Sequence, residues 1–299
     1  MTETLLLIDA YSQIFRCFYG VRPLSNSKGE PTNALPPFAR MLLKLQNDFP
    51  GARGALVFDC GRVGFRTRLN PEYKANRTPT PPELKAQVPV IRELAAAFGW
   101  NLLEEPEYEA DDLIAALAAD YPGEVRILTS DKDLAQLVND RISILTPDPK
   151  NGWEIRDHAA TCTKFGVRPD QLVDYLSLLG DAADNIPGVP GIGPKGAADI
   201  LSRYHSLDAI FLAPESVANE RHRRLLQEHR ERLELNRQLI ALRQDLPARL
   251  GNATLACPIL EPAWDKVRHI CEQMELQSIL KALPAKQPEA IQDDLFANL

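Results

Sequence analysis

No stretch of this chain approaches the ~20 consecutive apolar residues that a membrane helix needs, so the sequence offers no candidate span. The opening MTETLLLID has no basic n-region and runs straight into an apolar stretch, which speaks against a signal peptide. No CxxC pair occurs. Cys17, Cys60, Cys162, Cys257 and Cys271 are odd in number and scattered, the pattern of reduced thiols in a cytoplasmic protein. The 5 histidines are equally dispersed, which argues against a zinc site. There is no long internal repeat. The 299 residues, 44% of them hydrophobic, suffice for one large domain or two modest ones.

What the chain does have is negative charge in particular places. Its formal net charge is -7, which taken alone argues against nucleic acid as a partner. Yet nine carboxylates stand where one site could collect them: Asp9, Asp59, Glu109, Asp111, Asp112, Asp131, Asp133, Asp181 and Asp184. They fall in five short stretches, LLLIDA, LVFDCG, YEADDL, LTSDKD and LGDAADN. Like charges repel, so a fold that gathers these acids needs cations to neutralise them. The nine outweigh the whole negative surplus, so the remaining surface is mildly basic and free to meet an anionic partner.

The periodicity predicts an α/β fold with a central, mostly parallel sheet flanked by helices. Residues 5–8, 55–58 and 125–129 are dense apolar runs, the pattern of strands buried on both faces. Each leads into an acid: Asp9, Asp59 and Asp131. Between them, Leu84, Val88, Ile91, Ala95 and Phe98 make a helical stripe, and residues 109–120 read as a second helix. Ligands of such sheets bind beyond the carboxyl ends of the strands, the edge these acids occupy. After about residue 165 the texture becomes helical. Pro169 can open a helix, the Pro/Gly-rich IPGVPGIGPKG makes a hairpin, and further helices cover about 196–212, 215–245 and 263–283. The segment from PAKQPEA onward reads as a flexible tail. These features divide the chain into an α/β core over 1–165, a helical region over 166–284 and a tail over 285–299.

Spacing suggests how the acids converge. Glu109 and Asp112 share a helix face; Asp111 points elsewhere on an ideal helix, but this is the first turn, where side chains can diverge from that pattern. Asp131 and Asp133 face the same way on an extended stretch, and Asp181 and Asp184 share a helical turn. Hard carboxylate oxygens suit Mg²⁺ or Mn²⁺, and two such ions ~4 Å apart clamp the attacking and leaving oxygens of a phosphodiester. Acids at strand ends and helix starts also serve as N-caps and dipole partners. Nine together, three of them fed by apolar strands, favour the metal site.

These stretches identify a resemblance. LLLIDA with Arg16 and Phe18, SNSKGEPTNA, VFDC, YKANR, EADD, SDKDL, LLGDAADNIPGVPGIGPKGA, LNRQLIALRQDLP and MELQSIL resemble the bacterial 5′-nucleases. These are the 5′-3′ exonuclease domain of DNA polymerase I and its flap-endonuclease relatives. The resemblance spans nearly the whole length and implies a PIN-like nuclease core. All nine acids match metal-ligand positions of that family, which cleaves DNA at flaps, nicks or overhangs with two divalent ions. It leaves a 5′-phosphate and a 3′-hydroxyl. Departures are Ser130 where glycine is usual, DAYSQIF in place of DGNSLLY, and Pro36 and Pro37 at a position normally aromatic and small. None removes a carboxylate.

The resemblance further implies that residues 62–98 form a helical arch, or gateway, over the site. This segment carries Arg62, Arg66, Arg68, Lys74, Arg77 and Lys85 with Phe65 and Tyr73 interleaved, a cationic track with stacking aromatics. By match to YKANR, Lys74 and Arg77 approach the scissile phosphate as catalytic cations and Tyr73 offers a stacking platform. Arg16 is a weaker phosphate-binding candidate. Within about 180–203 lies a helix-hairpin-helix signature, where Gly191, Gly193, Lys195 and Gly196 would meet duplex backbone without reading sequence, with a K⁺ between hairpin and phosphate. The basic run RHRRLLQEHRER, residues 221–232, fits either a duplex contact or a solvated helix face. In QDDLF, Gln292, Leu295 and Phe296 resemble a short sliding-clamp peptide.

The sequence reading is therefore a complete, monomeric, stand-alone 5′-3′ exonuclease or flap endonuclease, dependent on Mg²⁺ and acting in DNA replication and repair. Two alternatives stay open: an RNA-directed nuclease, and a non-catalytic flap-binding, clamp-tethered module.

Overall fold

The structure is a computed structural model and describes residues 3–61, 64–148, 150, 152–245, 250 and 257–285. Its central sheet runs β1 (Leu5–Asp9), β2 (Arg53–Val57), β3 (Asn101–Leu103), β4 (Val125–Leu128), β5 (Ile142–Asp148) and β6 (Gly152–Arg156). The spatial order is β3-β2-β1-β4-β5-β6. The first five strands are parallel, and β6 returns antiparallel on β5. The order reverses on either side of β1, which opens a crevice at the carboxyl edge there.

Alternation along each strand sends side chains to opposite faces. Leu6, Ile8, Leu56 and Phe58 face one layer with α1 (Ala10–Tyr19), α2 (Leu35–Asp48) and α4 (Pro82–Ala97). Leu5, Leu7, Val57, Val125 and Ile127 face the other, packed on α5 (Ala110–Asp120). The short α3 (Phe65–Leu69) lies between β2 and α4. No described helix is long and apolar enough to cross a membrane.

A second core belongs to the helical unit. It joins α6 (His158–Phe165), α7 (Leu172–Leu179), α8 (Pro194–Tyr204), α9 (Leu207–Leu212), α10 (Glu220–Glu228) and α11 (Arg230–Ile240). Pro169 opens a short 3₁₀ turn that leads into α7. Between α7 and α8 stands the two-strand hairpin β7 (Gly180–Asp181) and β8 (Ile186–Pro187). A Cβ on Gly180 would lie 2.3 Å from the Gly188 nitrogen, so only glycine lets these backbones close.

Two boundaries differ from the sequence expectation. The helices α12 (Trp264–Gln273) and α13 (Gln277–Leu280) do not extend the helical region. Val267, Ile270, Cys271, Leu276, Ile279 and Leu283 return to the α/β core beside α2 and α4, because their apolar stripe fits the groove those helices leave. The segment 62–98 is also not uniform: Leu84, Ile91, Leu94 and Ala95 of α4 are fully buried in the first core, so its α4 part is structural. Gln292, Leu295 and Phe296 lie outside the described residues.

Candidate active site

The parallel register brings the strand ends to one line: Asp9 pairs with Val57, and Ile8 with Leu128. Asp9 caps α1, accepting the Ser12 amide at 3.1 Å, and also accepts the Thr129 hydroxyl at 2.8 Å. Asp59, at the next strand end, accepts the Ala110 amide at 2.8 Å, so it holds the start of α5. Helix capping and site building are thus done by the same acids. Asp131 accepts the Asp133 amide at 2.9 Å in a tight turn, and Asp133 then opens a 3₁₀ helix, Asp133–Leu137. That turn, rather than an extended run, aims this pair. Asp181 ends β7 and Asp184 sits in the hairpin turn, not on a helix.

Oxygens of Asp133, Asp181 and Asp184 all lie within 4.8 Å of one another. One oxygen of Asp133 is buried with no hydrogen-bond partner. A buried acceptor without a donor, on a residue grouped with two further carboxylates, fits a hard cation. The other acids crowd together electrostatically. Burial raises the Asp9 carboxyl to about 7, against the pull of Ser12 and Thr129, with Asp59 and Asp131 pushing it further. Asp133 is likewise raised to about 7, by burial first and then by Asp131 and Asp181. Burial, with Asp131, Asp9 and Asp59, holds Asp111 well above the carboxylate range. Asp59 stands at the mouth, where surrounding protein and Glu109 raise it while Lys74 and Arg77 lower it. The charge of Asp131 raises the Asp9, Asp111 and Asp133 carboxyls alike, so it lies within electrostatic reach of all three.

Asp112 departs from the expected ligand set. It is 0% exposed, and its two oxygens take Arg66 Nη1 at 2.6 Å and Nη2 at 2.8 Å. The Arg243 amide donates to it at 2.9 Å. Arg66 also donates to the carbonyls of Leu239 at 2.6 Å and Ala241 at 3.0 Å. Three positions after Glu109 on a tight helix, Asp112 points into the protein, where it fastens α3 and the end of α11 to α5. Breaking such a buried pair costs about 3–5 kcal/mol.

The YKANR segment lies over the acids. Lys74 Nζ is 2.7 Å from Glu109 and 3.8 Å from Asp184, and Arg77 Nη2 is 2.5 Å from Asp184. Burial pulls the Lys74 ammonium pKa down, but Glu109 and Asp184 outweigh it and raise it. Lys74 holds φ 57, and its amide donates to the Asp184 carbonyl at 3.0 Å, so the backbone itself is tied to the pit. Tyr73 is not a stacking platform. It is 5% exposed, packs in the second core, and its hydroxyl stands 3.2 Å from Glu109 and 3.3 Å from Asp184. Arg16 lies about 10 Å along α1 from Asp9, and lines a separate cleft of about 350 Å³ with Arg40, Lys44 and Trp153. Gly191 and Gly193 are exposed on the turn before α8, and the exposed Lys195 and half-buried Gly196 lie in its first turn. Sequence reasoning missed Lys132, 3.0 Å from Asp181, and Thr129. Their signal was position: one between two acids, the other at a strand end.

An acid pit at the carboxyl edge of a parallel α/β sheet, with a hairpin-linked helical unit beside it, defines the class of α/β nucleases. Two family models match in tandem: the 5′-3′ exonuclease N-terminal resolvase-like domain over residues 4–166 and the C-terminal SAM fold over 167–261. The chain belongs to the 5′-3′ exonuclease family. It is 37% identical to a 5′-3′ exonuclease of Aquifex aeolicus, over 98% of this chain and 100% of that one. It is 38% identical to the thermostable DNA polymerase I of Thermus thermophilus, over 92% of this chain but 32% of the polymerase. The chain therefore spans about a third of the polymerases it matches. Among solved structures, a T5 5′-exonuclease bound to divalent metal ions (zinc) superposes with TM-score 0.64 at 21% identity, covering 92% of this chain and 99% of that one. The catalytic core of Rad2 in complex with DNA substrate gives 0.57 at 20% identity, covering 94% and 92%. At these identities the two structures establish the shared fold.

Proposed function

We propose that the chain is a structure-specific 5′ nuclease that hydrolyses DNA phosphodiesters near 5′ ends, at flaps, nicks or overhangs, using two divalent ions. The observation that carries the reading is the acid pit with Lys74 and Arg77 poised over it. A non-catalytic module would have no use for acids held together at such electrostatic cost.

Asp9, Asp59, Glu109, Asp111 and Asp131 would hold one Mg²⁺ or Mn²⁺, and Asp133, Asp181 and Asp184 the other, with Asp131 between them. When bound, such ions polarise a phosphate oxygen and make a water nucleophilic at neutral pH. The protein groups do the rest. Ser12 and Thr129 fix the orientation of Asp9. Lys132 steadies Asp181. Lys74 and Arg77, paired with Glu109 and Asp184 without substrate, would turn to the scissile phosphate and offset its developing charge. Arg66 and Asp112 act at a distance, by positioning the gateway.

The hairpin at Gly191 and Gly193 would hold duplex backbone, and its open main chain would hold a K⁺ that offsets phosphate charge there. Gln292, Leu295 and Phe296 would tether the enzyme to a sliding clamp in replication and repair. Product mapping on a 5′-flap, a nick and a blunt duplex, with matched RNA flaps, tests the reading. Cleavage at the flap junction that requires Mg²⁺ and leaves a 5′-phosphate is expected. Cutting of RNA alone, or no cutting, would overturn it.

A further inference from the structure

Arg243, in the segment that follows α11, ties distant parts of the chain together. Its guanidinium lies over the Tyr108 ring, 4.0 Å from the ring centre, and Nη2 donates to the Tyr108 hydroxyl at 2.7 Å. The Asp245 carboxylate closes the triangle, accepting Arg243 Nε at 2.9 Å and the Tyr108 hydroxyl at 2.9 Å. The Phe65 ring of α3 stands 5.8 Å from the same guanidinium. The Arg243 amide meanwhile donates to Asp112 at 2.9 Å. One residue therefore grips the chain on both sides of Glu109, directly before it at Tyr108 and one helical turn after it at Asp112.

Glu109 stands where such a grip matters. It is the N-cap residue of α5, yet its side chain makes no capping bond there and meets Lys74 instead. Just before it the loop turns sharply: Glu107 holds φ 68, and the Tyr108 amide donates to the Glu105 carbonyl at 3.1 Å. The next amide, of Ala110, is pinned by Asp59, itself an acid of the pit, so that bond depends on the state of the site. Arg243 holds the same turn from outside the pit. It stacks on a ring while its fork donates to a hydroxyl and a carboxylate, a combination that the single ammonium of lysine cannot reproduce.

We propose that Arg243 is a positioning residue for the metal site. It fixes the first turn of α5, and with it the carboxylates of Glu109 and Asp111, without itself touching ion or substrate. This rests on the nuclease reading, since that reading makes the two acids ligands. Groups that orient ligating side chains are worth about 10–100-fold in metal affinity or activity. Arg243 also borders an open cleft of about 570 Å³ with Phe65 and Arg68, so a direct contact with DNA is the competing role. The two roles differ in what they move: metal affinity in one, flap affinity in the other.

The test is Mn²⁺ binding to the full chain without DNA, read by electron paramagnetic resonance of the free ion, with 5′-flap binding in metal-free buffer alongside. Arg243→Ala should weaken Mn²⁺ binding roughly tenfold or more and leave flap affinity at the wild-type value. Tyr108→Phe keeps the ring under the guanidinium and removes only the hydroxyl, so it should fold and weaken Mn²⁺ binding in the same direction by less. Arg243→Lys should fall between Arg243→Ala and wild type. In single-turnover cleavage, Arg243→Ala should need roughly tenfold more Mg²⁺ for its half-maximal rate and approach the wild-type rate at saturation. Wild-type Mn²⁺ affinity in both Arg243→Ala and Tyr108→Phe overturns the assignment, even if both melt earlier. Weakened flap binding with unchanged Mn²⁺ affinity overturns it too. Mn²⁺ binding is read without catalysis, so these outcomes are distinct from a wild-type chain that fails to cut the flap with Mg²⁺, which would remove the nuclease reading instead.

Discussion

Removing Asp112 and removing Asp133 should move the stability of the metal-free protein in opposite directions. Asp112 is buried with both oxygens on Arg66, so Asp112→Ala leaves a guanidinium enclosed and half-satisfied. That costs about 3–5 kcal/mol, a large share of the ~5–15 kcal/mol by which a domain is stable. The urea midpoint should fall by about 1 M or more. Asp133 is different. Its carboxyl is raised to about 7 by burial and by Asp131 and Asp181, so at pH 8 it is ionised against its surroundings. Asp133→Asn removes that repulsion and should stabilise the metal-free protein by about 1–4 kcal/mol, while lowering its affinity for Mg²⁺. Urea unfolding at pH 8 in EDTA reads both. If Asp112→Ala left the midpoint unchanged or raised it, Asp112 would be a member of the acid cluster and the positioning role assigned to it would be wrong.

Other consequences are quickly checked. Lys74→Ala and Arg77→Ala should each slow single-turnover flap cleavage by roughly 10²–10³-fold, with smaller changes in binding; equal losses in both would point to a binding role instead. Because Asp9 and Asp133 are raised to about 7, their contribution to metal-free stability is present below pH ~4 and lost as pH rises through about 7. Thermal melts in EDTA should therefore fall between pH 5 and 8, and added Mg²⁺ should recover more at pH 8 than at pH 6. Mg²⁺ binding at pH 7 should also release roughly one proton, measurable by calorimetry in buffers of different ionisation heat. Truncation before Gln292 should abolish capture by a sliding clamp and leave flap cleavage unaltered, whereas retained capture would place the tether elsewhere.

Much of this was legible in the sequence because local rules and the fold agreed. Leu5–Asp9, Arg53–Val57 and Val125–Leu128 are dense apolar runs, and a parallel sheet aligns their carboxyl ends whatever the details between. Asp9, Asp59 and Asp131 were thus placed by topology alone. What the pattern could not give was side-chain direction. Asp112 follows Asp111 on one helix, and only the turn of that helix against Arg66 decides that one faces the pit and the other the interior. Tyr73 looked like a stacking aromatic among cations, yet its ring is needed by the helical core. The helices at 264–280 share their composition with those before them, so their return to the α/β core could be seen only from the groove beside α2 and α4.

The most direct measurement is the single-turnover rate of Mg²⁺-dependent 5′-flap cleavage by Asp131→Ala. The charge of Asp131 acts on Asp9, Asp111 and Asp133 alike. Its loss should disturb both groups of acids and reduce the rate by at least about 10²-fold, with flap binding in metal-free buffer retained. Cleavage at the wild-type rate would contradict the claim that these acids form one catalytic metal centre.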